Sequence, residues 1–385
     1  HLRRDPTDRP GPRQCSLPND PPQTTPPHGL KVLLAPAPLW LPGALRHYLQ
    51  QGTRVIRERL VATPPRQIIP GTTYSIDKRC IGRTFRLVPT RHVTKIVEYC
   101  LAKVAADTGV LLHAFCFMSN HFHLVLTDPR GVLPDFIQGL DSLISRNINA
   151  LRGRSGKNFE DGYTDRHIID VDSGIAKAAY VLANPVAAHL VSRARGWKGV
   201  TSARMSFGHR RTIERPRASI WRDVPKDGEG QKRKRKRGWS KGRKRRRGKF
   251  EAPEQVELVL EPFPESLTSR DPESVMEEIR DQVERREHAA EKKRLEKGLS
   301  VMGMKRVMQQ AWWDFPGRKE DMFTHVDPVA GSDRDKVASK WHRNRVFEAE
   351  YKAALDEVRN GGRPVFPHGT WLMVQRYGYS CAGPP

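Results

Sequence analysis

The sequence predicts an α+β fold: an antiparallel sheet with helices packed on one of its faces, followed by a mainly helical accessory unit. Between residues 66 and 202, short apolar runs of period two alternate with stretches of 3.6-residue periodicity. After residue 255 the patterned sequence is almost all helical. Between these textures lies a block, Gln231 to Lys249, in which 13 of 19 residues are Lys or Arg, a density whose self-repulsion opposes folding.

The chain of 385 residues divides accordingly: a leader at 1–65, the α+β domain at 66–202, a basic linker at 203–255 and the accessory domain at 256–385. The leader carries 13 of the 30 prolines, too many for regular structure, and reads as disordered. The chain begins at His1 rather than Met, which leaves open a fragment or an over-extended reading frame.

Element by element, residues 72–81 read as a strand and 90–107 as an amphipathic helix with Val93, Ile96, Val97, Leu101 and Val104 on one face, stopped by Gly109. Residues 110–118 and 122–127 read as two strands around a tight Ser119-Asn120-His121 segment. A helix at 133–151 follows, then an edge strand within 162–170. Next comes a helix at 175–184 that Pro185 should end or kink, because the ring removes a donor and crowds the preceding residue. Beyond the basic block, 256–260 reads as a strand. Asp271 and Pro272 open a helix to Lys297, and Ser300 opens another through Trp312, the two forming a helical hairpin. A helix at 334–360 ends at Gly361-Gly362, and 370–377 alternates like an edge strand.

Composition narrows the function. A formal charge of +25 and a pI near 10.2 favour a polyanionic partner. The block accounts for 13 of those charges, so the remainder still carries about +12. Cys15, Cys80, Cys100, Cys116 and Cys381 form no CxxC pair, which argues against a disulfide framework or a cysteine zinc site and fits a reducing cytoplasm. The apolar stretch at 30–45 is cut by Pro36, Pro38 and Pro42, too short for a membrane helix.

His121, Phe122 and His123 form the pattern with most chemical content. On a strand, period two points both imidazoles to one face and Phe122 to the other, so two ligands converge on one ion. The spacing alone is weak, since 14 histidines in 385 residues give roughly half such a pair by chance. Tyr163 and His113 invite chemical readings too, but the first sits beside Gly162 on an edge strand where it reads as a packing residue, and the second shares its strand face with Phe115 and Phe117 as a core residue would.

Two longer strings give the triplet a context. Met118 to Leu126 reads MSNHFHLVL, and Tyr180 to Val186 reads YVLANPV, followed by His189, Leu190 and Val191. Together they resemble the HUH signature and the tyrosine helix of the single-tyrosine transposases, in particular the REP-associated group in a long form with a C-terminal extension. The resemblance covers about residues 66–202, with Trp197 and Ser202 where the family places a tryptophan and a serine, and extends loosely to FPHGTWL at Phe366 to Leu372. It implies an HUH-type sheet, Tyr180 as nucleophile, His121 and His123 as ligands of Mg²⁺ or Mn²⁺, and a 5′-phosphotyrosine intermediate on single-stranded or hairpin DNA. Asn184, one helical turn past Tyr180, shares its face and offers a third, oxygen ligand, unless Pro185 displaces it. Ligand type alone leaves the metal open.

Within the basic block, Lys232, Arg233, Lys234, Arg235, Lys236, Arg237, Arg243, Lys244, Arg245, Arg246 and Arg247 are expected to contact phosphates, with Trp239 available to stack on an unpaired base. The resulting expectation is a bacterial, nucleoid-associated transposase, monomeric or homodimeric, with no membrane partner. The alternatives are a DNA-binding protein of the same fold that has lost cleavage, an HUH nickase or replication initiator, and a basic RNA-binding protein.

Overall fold

Strand β1 (Thr72–Arg79) is the centre of a five-stranded sheet ordered β2-β3-β1-β4-β7. The computed structural model describes residues 65–216, 253–316 and 328–384. On one side β1 pairs antiparallel with β3 (His121–Asp128), which pairs in turn with β2 (Leu111–Phe117) around a bulge between Leu112 and Ala114. On the other side lies β4 (Thr164–Ile168), also antiparallel. A two-residue strand, β7 (Val329–Ala330), then adds in parallel, so the sheet is mixed rather than wholly antiparallel and β4 is not its edge.

Alternation along β3 divides the interior in two. Phe122, Leu124 and Leu126 join a cluster with α1 (Arg91–Thr108) and α2 (Leu133–Arg152), while Val125 faces a second cluster built on α3 (Val171–Ala187). Helices therefore cover both faces of the sheet. The expectation of helices on one face is corrected because two of its strands carry apolar residues on each side, and both sides need covering.

The helix ends follow their caps. Thr90 Oγ1 accepts from Val93 N, and Gly109 takes the left-handed conformation that closes α1. Asp170 accepts from Ser173 N to start α3, four residues earlier than expected. Pro185 does not end α3. It falls in the last turn, where only its own N–H is forfeited, and Ala188 N still reaches Asn184 O at 2.9 Å.

Beyond α3, β5 (Arg210–Glu214) pairs with β6 (Gln255–Val259), and α4 (Pro272–Glu296) lies along α3. Helix α5 (Met304–Gln309) is shorter than the expected 300–312 helix, and α6 (Arg334–Arg359) follows. Residues expected as a final strand form α7 (Trp371–Tyr377), flanked by the short strands β8 (Val365–Phe366) and β9 (Ser380–Cys381). Leu258, Leu260 and Met276 enter the first cluster; Phe263, Val275, Ile279, Val307 and Ala330 enter the second. Described residues from both stretches thus enter the same two clusters. No helix among the described residues is long and apolar enough to cross a membrane.

Candidate active site

The β2–β3 hairpin, closed by Met118 N donating to His121 O at 2.8 Å, carries the histidine pair. His121 and His123 project to the α3 face with ring centroids 4.7 Å apart and nearly perpendicular. Phe122 points the other way, fully buried and stacked on Phe117. Strand periodicity alone thus places the two imidazoles side by side.

Each imidazole is held at Nδ1. Asn120 Oδ1 accepts from His121 Nδ1 at 2.7 Å, and Asp77 Oδ1 accepts from His123 Nδ1. Asp77 stands directly opposite His123 in the β1–β3 register, and its other oxygen accepts from Arg166 Nη1 at 2.8 Å. Burial works against the Asp77 carboxylate, but the hydrogen bonds and charges of His123 and Arg166 outweigh it and hold the group well below the usual carboxylate range. Burial, reinforced by His123, pushes His121 down to about 3, so it is a neutral imidazole at physiological pH.

Helix α3 brings the remaining residues. Ala176, Ala179 and Ala183 keep its flank slim, and Tyr180 emerges 42% exposed with its ring centroid 5.7 Å from that of His123. Asn184, one turn later, puts Nδ2 3.0 Å from His123 Nε2. Because α3 continues through Pro185, Asn184 keeps its register. From α4, Arg286 donates to Ala176 O at 3.4 Å and sets its guanidinium carbon 6.0 Å from the Tyr180 ring centroid.

These donors fit a divalent cation. With both Nδ1 atoms engaged, the Nε2 atoms carry the lone pairs that would meet an ion; that of His123 now takes Asn184 Nδ2, and turning over the amide would present Oδ1 in its place. The centre is two imidazoles and an amide: among the described residues no three His, Cys, Asp or Glu side chains gather as a metal-holding group.

Sequence reasoning missed Asp77, Asn120, Arg166 and Arg286. Asp77 alone left a signal, a lone acid inside a strand that would otherwise favour apolar or β-branched residues. Trp197 and Ser202 serve as buried anchors: Trp197 Nε1 donates to Phe117 O at 3.0 Å, and Ser202 Oγ accepts from Phe115 N at 3.0 Å. Tyr163 packs on the opposite cluster under the Arg66 guanidinium, and His113 is buried between Thr127 Oγ1 and Glu261 O. The basic-block residues Lys232 to Arg247, with Trp239, lie outside the described residues.

No family model and no curated protein matches the chain. Among solved structures, it is similar to a REP-associated tyrosine transposase bound to a REP hairpin, at 15% identity over 37% of this chain and 82% of that one, with a TM-score of 0.32. It is also similar to a candidate transposase from Deinococcus radiodurans R1, at 21% identity over 27% of this chain and 83% of the other, with a TM-score of 0.22. Both likenesses are remote, and the reading of the site rests on its own residues.

Proposed function

We propose that the chain is a transposase that cleaves and rejoins single-stranded or hairpin DNA through a tyrosine–phosphate link. The observation that carries this is the shared face: Tyr180 is exposed, with its ring 5.7 Å from that of His123, beside an imidazole pair held at both Nδ1 atoms. A core tyrosine would be buried, and unsupported surface histidines would lack acceptors at both Nδ1 atoms.

In the cleavage step, Tyr180 Oη attacks the phosphorus as the P–O3′ bond breaks. The phenol releases its proton to solvent, and the leaving 3′ oxygen takes one up. Rejoining reverses the electron flow, with a 3′-OH attacking the phosphotyrosine phosphorus and the phenol departing. A divalent cation held by His121, His123 and Asn184, Mg²⁺ or Mn²⁺ as the resemblance implies, would stabilise charge on the non-bridging phosphate oxygens. Arg286, alongside the Tyr180 ring, supplies a fixed positive charge near the incoming phosphate.

The test is incubation with 5′- and 3′-labelled single strands carrying a hairpin, in Mn²⁺. The 3′-labelled fragment is expected to become protein-linked while the 5′-labelled fragment leaves with a free 3′-OH. Tyr180→Phe and EDTA should each abolish the adduct. Adduct formation by the Phe variant, or cleavage that never produces an adduct, would overturn the reading in favour of another nucleophile or a hydrolytic nickase.

A further inference from the structure

Away from the histidines, three guanidinium groups gather around one indole. The Cζ atoms of Arg86 and Arg152 lie 5.0 Å, and that of Arg154 5.3 Å, from the Trp312 ring. Cation–π attraction, about 0.5–2 kcal/mol each, explains why a guanidinium sits on an indole. It does not explain three like charges sharing the same one, because they repel one another.

Their hydrogen-bond acceptors are neutral: Thr84 Oγ1 for Arg86, Arg86 O for Arg152 and Asn158 Oδ1 for Arg154. The Nη1 atoms of Arg86 and Arg152 are buried with no acceptor among the described residues, which leaves the positive charge of the cluster uncompensated.

The same strip is aromatic. Trp313 and Phe315 are 61% and 66% exposed, and the rings of Trp312 and Trp313 lie 5.2 Å apart. Phe85 N donating to Asp314 O at 2.8 Å fastens the strip to residues 84–86. That segment is tied on its other side to the turn before His121, through Cys80 N to Asn120 O and Leu87 N to Ser119 O, both 2.8 Å.

We propose that this platform binds the unpaired DNA flanking the cleavage position, with bases stacked on Trp313 and Phe315 and a backbone phosphate among Arg86, Arg152 and Arg154. Exposed ring faces suit unstacked bases rather than duplex DNA, whose bases already stack on each other. The proposal rests on reading the neighbouring site as one that acts on single-stranded DNA.

The test uses the full chain in EDTA, which separates binding from cleavage. Fluorescence anisotropy of labelled oligo-dT should show affinity falling by about tenfold or more in Trp313→Ala/Phe315→Ala, given that each stacked base contributes on the order of 1–3 kcal/mol. Trp313→Phe should stay near the native value, and a duplex of equal length should bind both proteins alike. Arg154→Ala should lower the slope of log affinity against log salt by about 0.7. Unchanged oligo-dT affinity in the double variant, equal loss on the duplex, or tighter binding of oligo-U with the same dependence would each overturn the proposal. A missing tyrosine adduct with intact platform effects therefore sinks only the proposed chemistry, and an adduct without platform effects sinks only the platform.

Discussion

Asp77 illustrates what a single residue contributes to the site. A carboxylate accepting from His123 Nδ1 fixes the tautomer and leaves the lone pair on Nε2, the atom that would ligate in the proposed site, while Arg166 keeps that carboxylate charged. Asp77→Asn is therefore expected to weaken Mn²⁺ binding by about 10–100-fold with the fold intact, measured by calorimetric titration. An unchanged affinity would show that the carboxylate does not orient the ligand. The histidines were legible because their geometry is local, two residues apart on one strand. Asp77 was not, since it meets His123 only through the register of two strands distant in sequence, which no local pattern encodes. Asn184 was legible by spacing, but its fate turned on whether Pro185 would break the helix.

At the scale of elements, close approaches hold the hairpin to the segment after α3. A Cβ on Gly199 would lie 2.4 Å from Trp197 Nε1 and 3.1 Å from Phe117 O, the two ends of a buried hydrogen bond. Gly199→Ala is expected to cost about 2–4 kcal/mol, from overpacking and the displaced indole donor. Denaturant unfolding checks this; a loss under 1 kcal/mol would mean that Trp197 shifts freely. Helix starts with Thr90 and Asp271 were legible because those side chains accept from the backbone just after them. The segment at 371–377 was misread because a short apolar run fits both periods, and Gly378 in the left-handed conformation, a helix stop, decides for the helix.

Over the whole molecule, stability should depend on acid through histidines that stay neutral inside. Burial pushes His113 down to about 4 and His167 down to about 3, against an ordinary value of 6.5. Above pH 6.5 neither state of the chain protonates them. As pH falls below it, the unfolded chain takes up protons that the folded chain refuses, so stability declines down to the folded values. Each group contributes a slope approaching 1.4 kcal/mol per pH unit. Denaturant midpoints measured from pH 7 to pH 5 should fall, and less steeply in His113→Gln; a flat profile would show that these rings reach solvent when folded. The division of the chain was the least legible feature. Both textures were plain in sequence, but nothing local says that Phe263 packs against Gly174 or that Ile279 joins the cluster of Val181.

The borders of the main sheet constrain how copies of this protein can associate. Along β2, the outward backbone groups of Leu112, Phe115 and Phe117 are already taken by residues 200–202 and 261, and beyond β4 the two residues of β7 take the place where a further strand would add. Strand-on-strand annealing between molecules finds its template already used along β2 and at the His167–Ile168 end of β4. Among the described residues, association through the flanks of β2 would therefore draw on side chains, whose charge makes it tunable by ionic strength.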